Sequence, residues 1–354
     1  MPKTSSGSPR ALSRRDWLRW SALSAASVLA AGCAAGPQPA TGPDPRIADE
    51  AFAFVTRCER PDGGYAPSAD PAYPGNSDTR ASDLAAVTYA AVLAKTLGRE
   101  LRRPDLSAAF IRRHQRPDGV FVNLEGSFKS EDDLAVLYNT TQGVVSLRAL
   151  GERPSHDPAR AMERFFEGGA FRKLPWYTTS FFPLFYAALG VPFPPAYHEA
   201  LRDHMVGSQA EDGYLGDHVA STFHMVHFFR LTGEPTPRAR EMVARVLRDQ
   251  KPDGGWNIKH PDWDVHACFD ALFILRQLGG ASEDCRRAME RAAAWALSCR
   301  NADGGFGHYR GWHSDMDAVY FQLGALVQAG AVAAAPKVKD GRLLGWGHAM
   351  EPAG

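Results

Sequence analysis

The chain lacks any excess of charge: Lys plus Arg and Asp plus Glu each number 40 in 354 residues. That balance excludes the strongly cationic surface of a nucleic-acid binder, and no nucleic-acid partner is expected. Five cysteines are too few to build a fold from disulfides, although one or two bridges stay open to an exported protein. No apolar run reaches the roughly 20 residues needed to cross a bilayer. A Gly-rich loop for phosphate between strand and helix is missing, as are the His-Glu-x-x-His and Gly-x-Ser-x-Gly patterns. Their absence counts against the common metalloprotease and serine-hydrolase mechanisms. An apolar share of 44% still supports a globular core.

The first 33 residues read as an export signal. They have a polar, basic start, the segment Ser13-Arg14-Arg15-Asp16-Trp17-Leu18 and an apolar run from Leu23 to Ala31. This resembles a twin-arginine leader. Leu29-Ala30-Ala31-Gly32-Cys33 resembles a lipoprotein cleavage box, with Leu29 one place further from Cys33 than usual. Lipidation at Cys33 is therefore expected, giving an exported, periplasmic or envelope protein held to a membrane by its N-terminus. Residues 34–45, rich in Gly, Pro and Ala, read as a tether.

A recurring unit organises residues 46–331. Pro61-Asp62-Gly63-Gly64-Tyr65, Pro117-Asp118-Gly119-Val120-Phe121, Asp212-Gly213-Tyr214, Pro252-Asp253-Gly254-Gly255-Trp256 and Asp303-Gly304-Gly305-Phe306 share one turn signal. Their Asp positions are 56, 94, 41 and 50 residues apart, so the long gap holds a degenerate sixth copy near Gly168-Gly169-Ala170-Phe171. Amphipathic stretches such as 238–250 and 283–300 precede the turns. More apolar stretches follow, at about 81–97, 133–150, 178–189, 219–232, 265–278 and 317–329. These end at Gly98, Gly151, Gly190, Gly233, Gly279 and Gly330, as a left-handed helix cap requires. Two helices per repeat make an open solenoid or a closed ring. The more apolar second helices favour closure, with an inner barrel inside an outer ring. Residues 332–354 form a C-terminal extension.

These repeats resemble those of the alpha/alpha toroid superfamily of protein prenyltransferase beta subunits and squalene or terpene cyclases. Gln115 to Phe121 and Gln250 to Trp256 look like the Gln-x-x-x-Gly-x-aromatic repeat of the cyclases, and Gln209, Gly213 and Tyr214 form a weaker version. The resemblance implies an all-α toroid of about six helical hairpins, and isoprenoid or other lipid-like molecules as candidate ligands.

The sharpest chemistry lies at two inner-helix starts. His266 and Asp317 each stand 13 residues before their terminal glycine, and Asp264 and Asp315 each two residues earlier. In a closed ring, equivalent positions of adjacent repeats become neighbours on the rim. His266, Cys268 and Asp317 thus offer nitrogen, sulfur and oxygen to Zn²⁺, with a fourth position open. Prenyltransferase beta subunits use Asp-x-Cys at one inner-helix start and His at the next; here the matching positions read His266-x-Cys268 and Asp317. Residues two apart on a regular helix point nearly opposite ways, so His266 and Cys268 share an ion only if His266 precedes the first regular turn. Otherwise His266 is a cap or cavity residue and Cys268 a packed cysteine. Class II terpene cyclases carry Asp-x-Asp-Asp, whose central acid protonates an alkene or epoxide. Asp315-Met316-Asp317 matches it, with Asp317 as the acid, Asp315 as its neighbour and Ala318 in the last place.

Other polar residues are expected to shape the cavity. His224 and His227 share a helical face, either as a second metal site or as hydrogen-bonded histidines. His218 falls at the repeat position of Asp264 and Asp315, and His313 lies close to the metal segment. Asp132 and Asp133 read as helix caps, and Phe181 to Tyr186 as core or ligand wall. The functional expectation is a zinc-dependent enzyme acting on an isoprenoid or lipid-like substrate in a central apolar cavity. The alternatives are a non-catalytic lipid-binding or envelope scaffolding protein, and an acid-initiated cyclase using Asp317. No protein partner is identified.

Overall fold

Residues of the second helix in each repeat are apolar nearly all the way round, which forces that helix inside a shell. The computed structural model describes residues 43–75, 78–126, 132–257 and 265–335. The arginine pair, Cys33, Asp264 and residues 336–354 lie outside them. Six hairpins follow in chain order. The first pairs α1 (Pro45–Arg57) with α3 (Asp83–Leu97), with the single turn α2 (Asp78–Ala81) between them. The second pairs α4 (Pro104–Arg113) with α5 (Asp133–Ala149), and the third α6 (Ala159–Glu167) with α7 (Phe181–Leu189). The fourth pairs α8 (Pro195–Ser208) with α9 (Val219–Thr232), the fifth α10 (Ala239–Asp249) with α11 (Val265–Leu278), and the sixth α12 (Glu283–Ser298) with α13 (Met316–Gln328).

The second helices pack in sequence, α3 on α5, α5 on α7, α7 on α9, α9 on α11, α11 on α13, and α13 back on α3. The inner barrel is therefore closed, as the pattern predicts. Backbone bonds seal the seam: Met316 N donates to Pro67 O at 2.8 Å, Asp44 N to Ala331 O at 3.3 Å and Ala335 N to Thr96 O at 2.8 Å. Arg300 pairs with Glu50 across the same join. Burying a large apolar side chain contributes about 1.5–3 kcal/mol, and α3 and α5 each bury twelve or more residues, so the barrel is the stabilising centre. No helix among the described residues is long and apolar enough to cross a membrane.

The repeat motif has a mechanical explanation. In each turn the Asp side chain accepts the backbone N–H two residues on, at 3.1 Å for Asp62 and 3.2 Å for Asp118. The preceding glutamine ties the turn to the next outer helix. Gln115 Nε2 donates to Gly119 O at 3.1 Å and His156 O at 2.7 Å, while its Oε1 accepts from the Ser155 and His156 N–H groups. Gln209 and Gln250 repeat the arrangement toward Pro237 and Ala288. The motif thus joins one hairpin to the next. Around 168–171 the degenerate copy is replaced by two short 3₁₀ turns, at Ala170–Lys173 and Trp176–Thr178.

Five of the six terminal glycines have positive φ, as predicted, but at the end of α11 the left-handed residue is Gly280 rather than Gly279. Gly279 is needed for a different reason: a β-carbon there would crowd Cys285 Sγ at 2.7 Å.

Candidate functional site

Equivalent positions at the starts of α11 and α13 do become neighbours. Asp315 is the N-cap of α13, its Oδ1 accepting Ala318 N at 2.9 Å. Asp317 follows in the first turn, 1% exposed. Its Oδ2 lies 3.0 Å from His266 Nε2 and 3.3 Å from His308 Nε2. The same His308 nitrogen is 3.3 Å from Asp315 Oδ2. Asp317 Oδ1 is buried and has no hydrogen-bond partner among the described residues. The side chains of His266 and His308 are about a fifth exposed, so the cluster sits beneath the rim with access from outside.

His308 is not among the residues that the repeat pattern singles out, and it takes the place expected of Cys268. Helix α11 begins at Val265, so His266 already lies in regular helix and Cys268, two residues on, turns away from it. Cys268 is fully buried, and burial first, then the neighbouring Cys299, pushes its thiol well above the ordinary range. It supplies no thiolate. The residues that gather are His266, His308 and Asp317, whose ligand atoms lie within 4.8 Å of one another. Zinc bonds of about 2.0–2.2 Å in a tetrahedron place ligand atoms about 3.3 Å apart, close to the 3.0 and 3.3 Å found here. These three residues can hold a metal ion, which would supply a Lewis acid with a fourth position free.

The remaining expected residues divide. His218 is a helix cap, its Nδ1 accepting Ser221 N at 3.4 Å, at the repeat position where Asp315 caps α13. Asp132 caps α5 through Leu134 N. His313 is exposed and faces Asp70 at 3.4 Å, away from the cluster. His224 and His227 are hydrogen-bonded, in line with one of the two expectations: Ser180 Oγ lies 2.7 Å from His224 Nδ1 and 3.1 Å from His227 Nδ1. Phe181 to Tyr186 are buried around Pro183, which is tolerated in the first turn of α7.

The barrel below the rim is crossed by a layer of rings to which every inner helix contributes. Tyr89 meets Phe321 at 6.1 Å between centroids and approaches Tyr138, which meets Phe181 at 6.1 Å. Phe181 meets His224 at 5.1 Å, and Phe223, beside His224, meets Phe269 at 5.6 Å. Phe269 returns to Phe321 at 5.5 Å, and His266 stacks on Phe321 at 3.9 Å. The hydroxyls of Tyr89, Tyr138 and Tyr320 are held well above their ordinary range by burial first, and then by charges that include Asp317 in each case. The charge of that carboxyl is thus felt by three phenols, of which Tyr138 donates its hydroxyl to Asp78 at 2.9 Å. Below the layer, between Leu93, Phe269, Tyr320 and Val327, remains a cavity of about 10 Å³, room for one water.

Repeats and closure have a counterpart among known proteins. The sequence pattern of the prenyltransferase alpha-alpha toroid domain matches residues 10–150 and 159–350. The chain belongs to that family. Among solved structures of similar fold is the type II terpene cyclase MstE from Scytonema, 15% identical in its apo form with a TM-score of 0.54 over 81% of this chain and 97% of that one. A single-residue variant of MstE, in complex with the substrate geranylgeranyl dihydroxybenzoate, gives 16% and 0.56 over the same shares. Candida albicans protein geranylgeranyltransferase-I, complexed with GGPP, is 11% identical with a TM-score of 0.52 over 79% of this chain and 90% of that one. No curated protein matches. The toroid family fold is thus shared with catalytic proteins of two kinds.

The two buried toroid histidines carry a pH consequence. Burial holds His227 at about 3 and His224 well below its ordinary value of 6.5, so both are neutral in the folded chain. Below pH 6.5 the unfolded chain takes up protons that the folded one refuses, and stability falls with pH. The slope is about 1.4 kcal/mol per pH unit for each histidine. Denaturant titrations at pH 7.5 and 5.5 should show the loss, and His227→Phe should reduce it.

Proposed function

We propose that the protein is an exported enzyme that cyclises an isoprenoid by acid initiation, with Asp317 as the proton donor. One observation carries this reading: a buried carboxyl whose Oδ2 is held by two imidazole nitrogens and whose Oδ1 is unengaged, set against aromatic rings. With Nε2–H on both histidines, Oδ2 accepts two hydrogen bonds and the acidic proton resides on Oδ1. That proton passes to an alkene carbon. The alkene's π pair forms the new C–H bond, the neighbouring carbon becomes a cation, and the carboxylate charge is stabilised at Oδ2. Further π pairs of the same chain then attack the cation and close rings. Tyr89, Tyr320, Phe321 and Phe269 supply faces that stabilise positive charge, at about 0.5–2 kcal/mol each. The cavity between Leu93, Phe269, Tyr320 and Val327 has room for about one water, too little for a prenyl chain, and this reading puts the chain on the rim side of the ring layer. A type II terpene cyclase shares this fold, which is compatible with acid-initiated cyclisation. The twin-arginine segment and Cys33 support export and lipid attachment.

A second reading is favoured by the same three atoms. Zinc at His266, His308 and Asp317 requires bare lone pairs on both Nε2 atoms, whereas the acid reading requires protons there. Chain purified without an affinity tag, assayed for zinc and for cyclisation of squalene, geranylgeraniol and geranylgeranyl diphosphate, separates them. We expect turnover that survives EDTA and zinc below about a tenth of an ion per chain. Near-unit zinc that falls in Asp317→Ala, with turnover lost on chelation, would replace the acid reading with a metal one. A tightly held lipid without turnover would point instead to a binding protein.

A further inference from the structure

The ring of inner helices sets Asp317 against a second polar cluster that the initiation step does not use. Asp317 stands at the start of α13. In the order α3, α5, α7, α9, α11, α13, the start of α7 is diametrically opposite, and Ser180 is its N-cap position. His224, on α9, lies beside it. Both sit at the level of the ring layer, since His224 packs edge-on to Phe181 at 5.1 Å and against Phe223 at 4.9 Å. His224 is 7% exposed. Ser180 engages its Nδ1 at 2.7 Å, and among the described residues no group hydrogen-bonds its Nε2. A serine shared between two imidazoles fixes the ring: its hydroxyl donates to one Nδ1 and accepts from the other.

We infer that His224 is the base that ends the reaction, taking a proton through Nε2 from the final carbocation and so releasing an alkene. This rests on the proposed acid-initiated cyclisation. The step balances without any other reagent. The C–H pair next to the cationic carbon becomes the new C=C bond, and the proton passes to Nε2. The imidazolium loses it to solvent, and Asp317 regains one, so substrate and product are isomers. Burial favours the neutral imidazole beforehand, and with its Nδ1–H donated to Ser180 Oγ and the serine hydroxyl donated to His227 Nδ1, the lone pair stands on Nε2. A weak base suffices, because a C–H bond beside a carbocation is far more acidic than an imidazolium. Donor and acceptor on different walls also keep the carboxylate formed at Asp317 from recapturing the proton at once. The aromatic layer between them, Phe321 to Phe269 to Phe223, provides a continuous path for the charge. Ser180 is a positioning residue.

The test uses the wild-type chain, His224→Gln, His224→Phe and Asp317→Asn with squalene, geranylgeraniol and geranylgeranyl diphosphate, in ordinary and oxygen-18 water, with products read by mass spectrometry. In the wild type the product is an isomer of the substrate. In both His224 variants the alkene should fall at least about tenfold as a share of product, replaced by an alcohol bearing the solvent oxygen or by alkenes with a displaced double bond. Substrate consumption should fall far less than in Asp317→Asn, because protonation is retained. Ser180→Ala should give a mixture of the two outcomes, a change in product ratio that a merely structural role would not cause. Wild-type turnover with the same alkene in both His224 variants overturns this assignment and leaves the initiating acid standing. A wild-type chain that cyclises none of the three probes overturns the function reading and this assignment with it.

Discussion

Asp317→Asn should lower cyclisation by about a thousandfold or more while leaving the fold intact. The amide keeps the size of the carboxyl, and its oxygen can still accept from His266 and His308. What it lacks is a proton acidic enough for an alkene. General acid catalysis contributes about 10²–10⁴-fold, and a thousandfold loss corresponds to about 4 kcal/mol of barrier. The loss should fall on kcat with KM little changed, because the carboxyl acts on the reacting carbon rather than on the rest of the chain. Asp315→Asn should cost much less. Its Oδ1 caps α13 and its Oδ2 faces His308, so it orients the acid's partner rather than delivering the proton. Single-turnover rates with whichever prenyl probe the wild type accepts, together with melting curves, give the measurement. An Asp317→Asn chain retaining a third of wild-type turnover would remove the initiating acid from the mechanism.

The pairing of His266 with Asp317 is legible in the sequence because it depends only on repeat register and ring closure. Equivalent residues of adjacent hairpins must come close in a closed ring, and the 13-residue count to each terminal glycine identifies them. The same count makes His218 and Asp315 equivalent, and both are helix caps. Cys268 is misplaced by a quantity that no spacing rule supplies: where regular helix begins. Starting at Val265, the helix turns His266 and Cys268 apart. His308 escapes notice because it lies in the stretch after a turn, where neither helical nor strand periodicity operates.

A register signal for His308 nevertheless exists. It stands two residues after Phe306, the aromatic residue of its turn, as Pro67 does after Tyr65 and Asn123 after Phe121. Each of these reaches back to the preceding repeat of the ring. Pro67 O accepts from Met316 N at the start of α13, and Asn123 Nδ2 donates to Ala81 O ahead of α3. His308 likewise meets His266, with ring centroids 6.2 Å apart. The position two after the aromatic is therefore a rim position in this fold, and a histidine there joins the neighbouring inner-helix start. The layer of rings is less legible. Tyr89, Tyr138 and Tyr320 look like ordinary core residues, and only the closure of the barrel gathers them into one layer with Phe181, Phe269 and Phe321.

A turn outside the barrel should also have a large effect on stability. Gly119→Ala is expected to destabilise the chain by about 3 kcal/mol or more, against about 1–2 kcal/mol for Gly151→Ala. Both glycines have positive φ, +86° and +79°, so an alanine meets the same backbone strain at each. Their surroundings differ. A β-carbon at Gly151 meets nothing within 4 Å, whereas at Gly119 it overlaps the carbonyl oxygen of Asp157, just ahead of α6. That carbonyl cannot retreat freely, because Gln115 grips the neighbouring Ser155 and His156 backbone with hydrogen bonds of 2.7–3.0 Å. Relief of the clash must therefore move α6 away from the second turn or break the glutamine clamp, leaving peptide groups unpaired at about 1–3 kcal/mol. At about 2 °C per kcal/mol in a chain this long, the Tm should fall by about 6 °C for Gly119→Ala and by about half that for Gly151→Ala. Equal shifts in the two variants would mean that the Asp-Gly turns serve only to reverse the chain. Unequal shifts in the expected order would establish them as the couplings through which one hairpin fixes the next, and through which six hairpins bring His266, His308 and Asp317 to a common point.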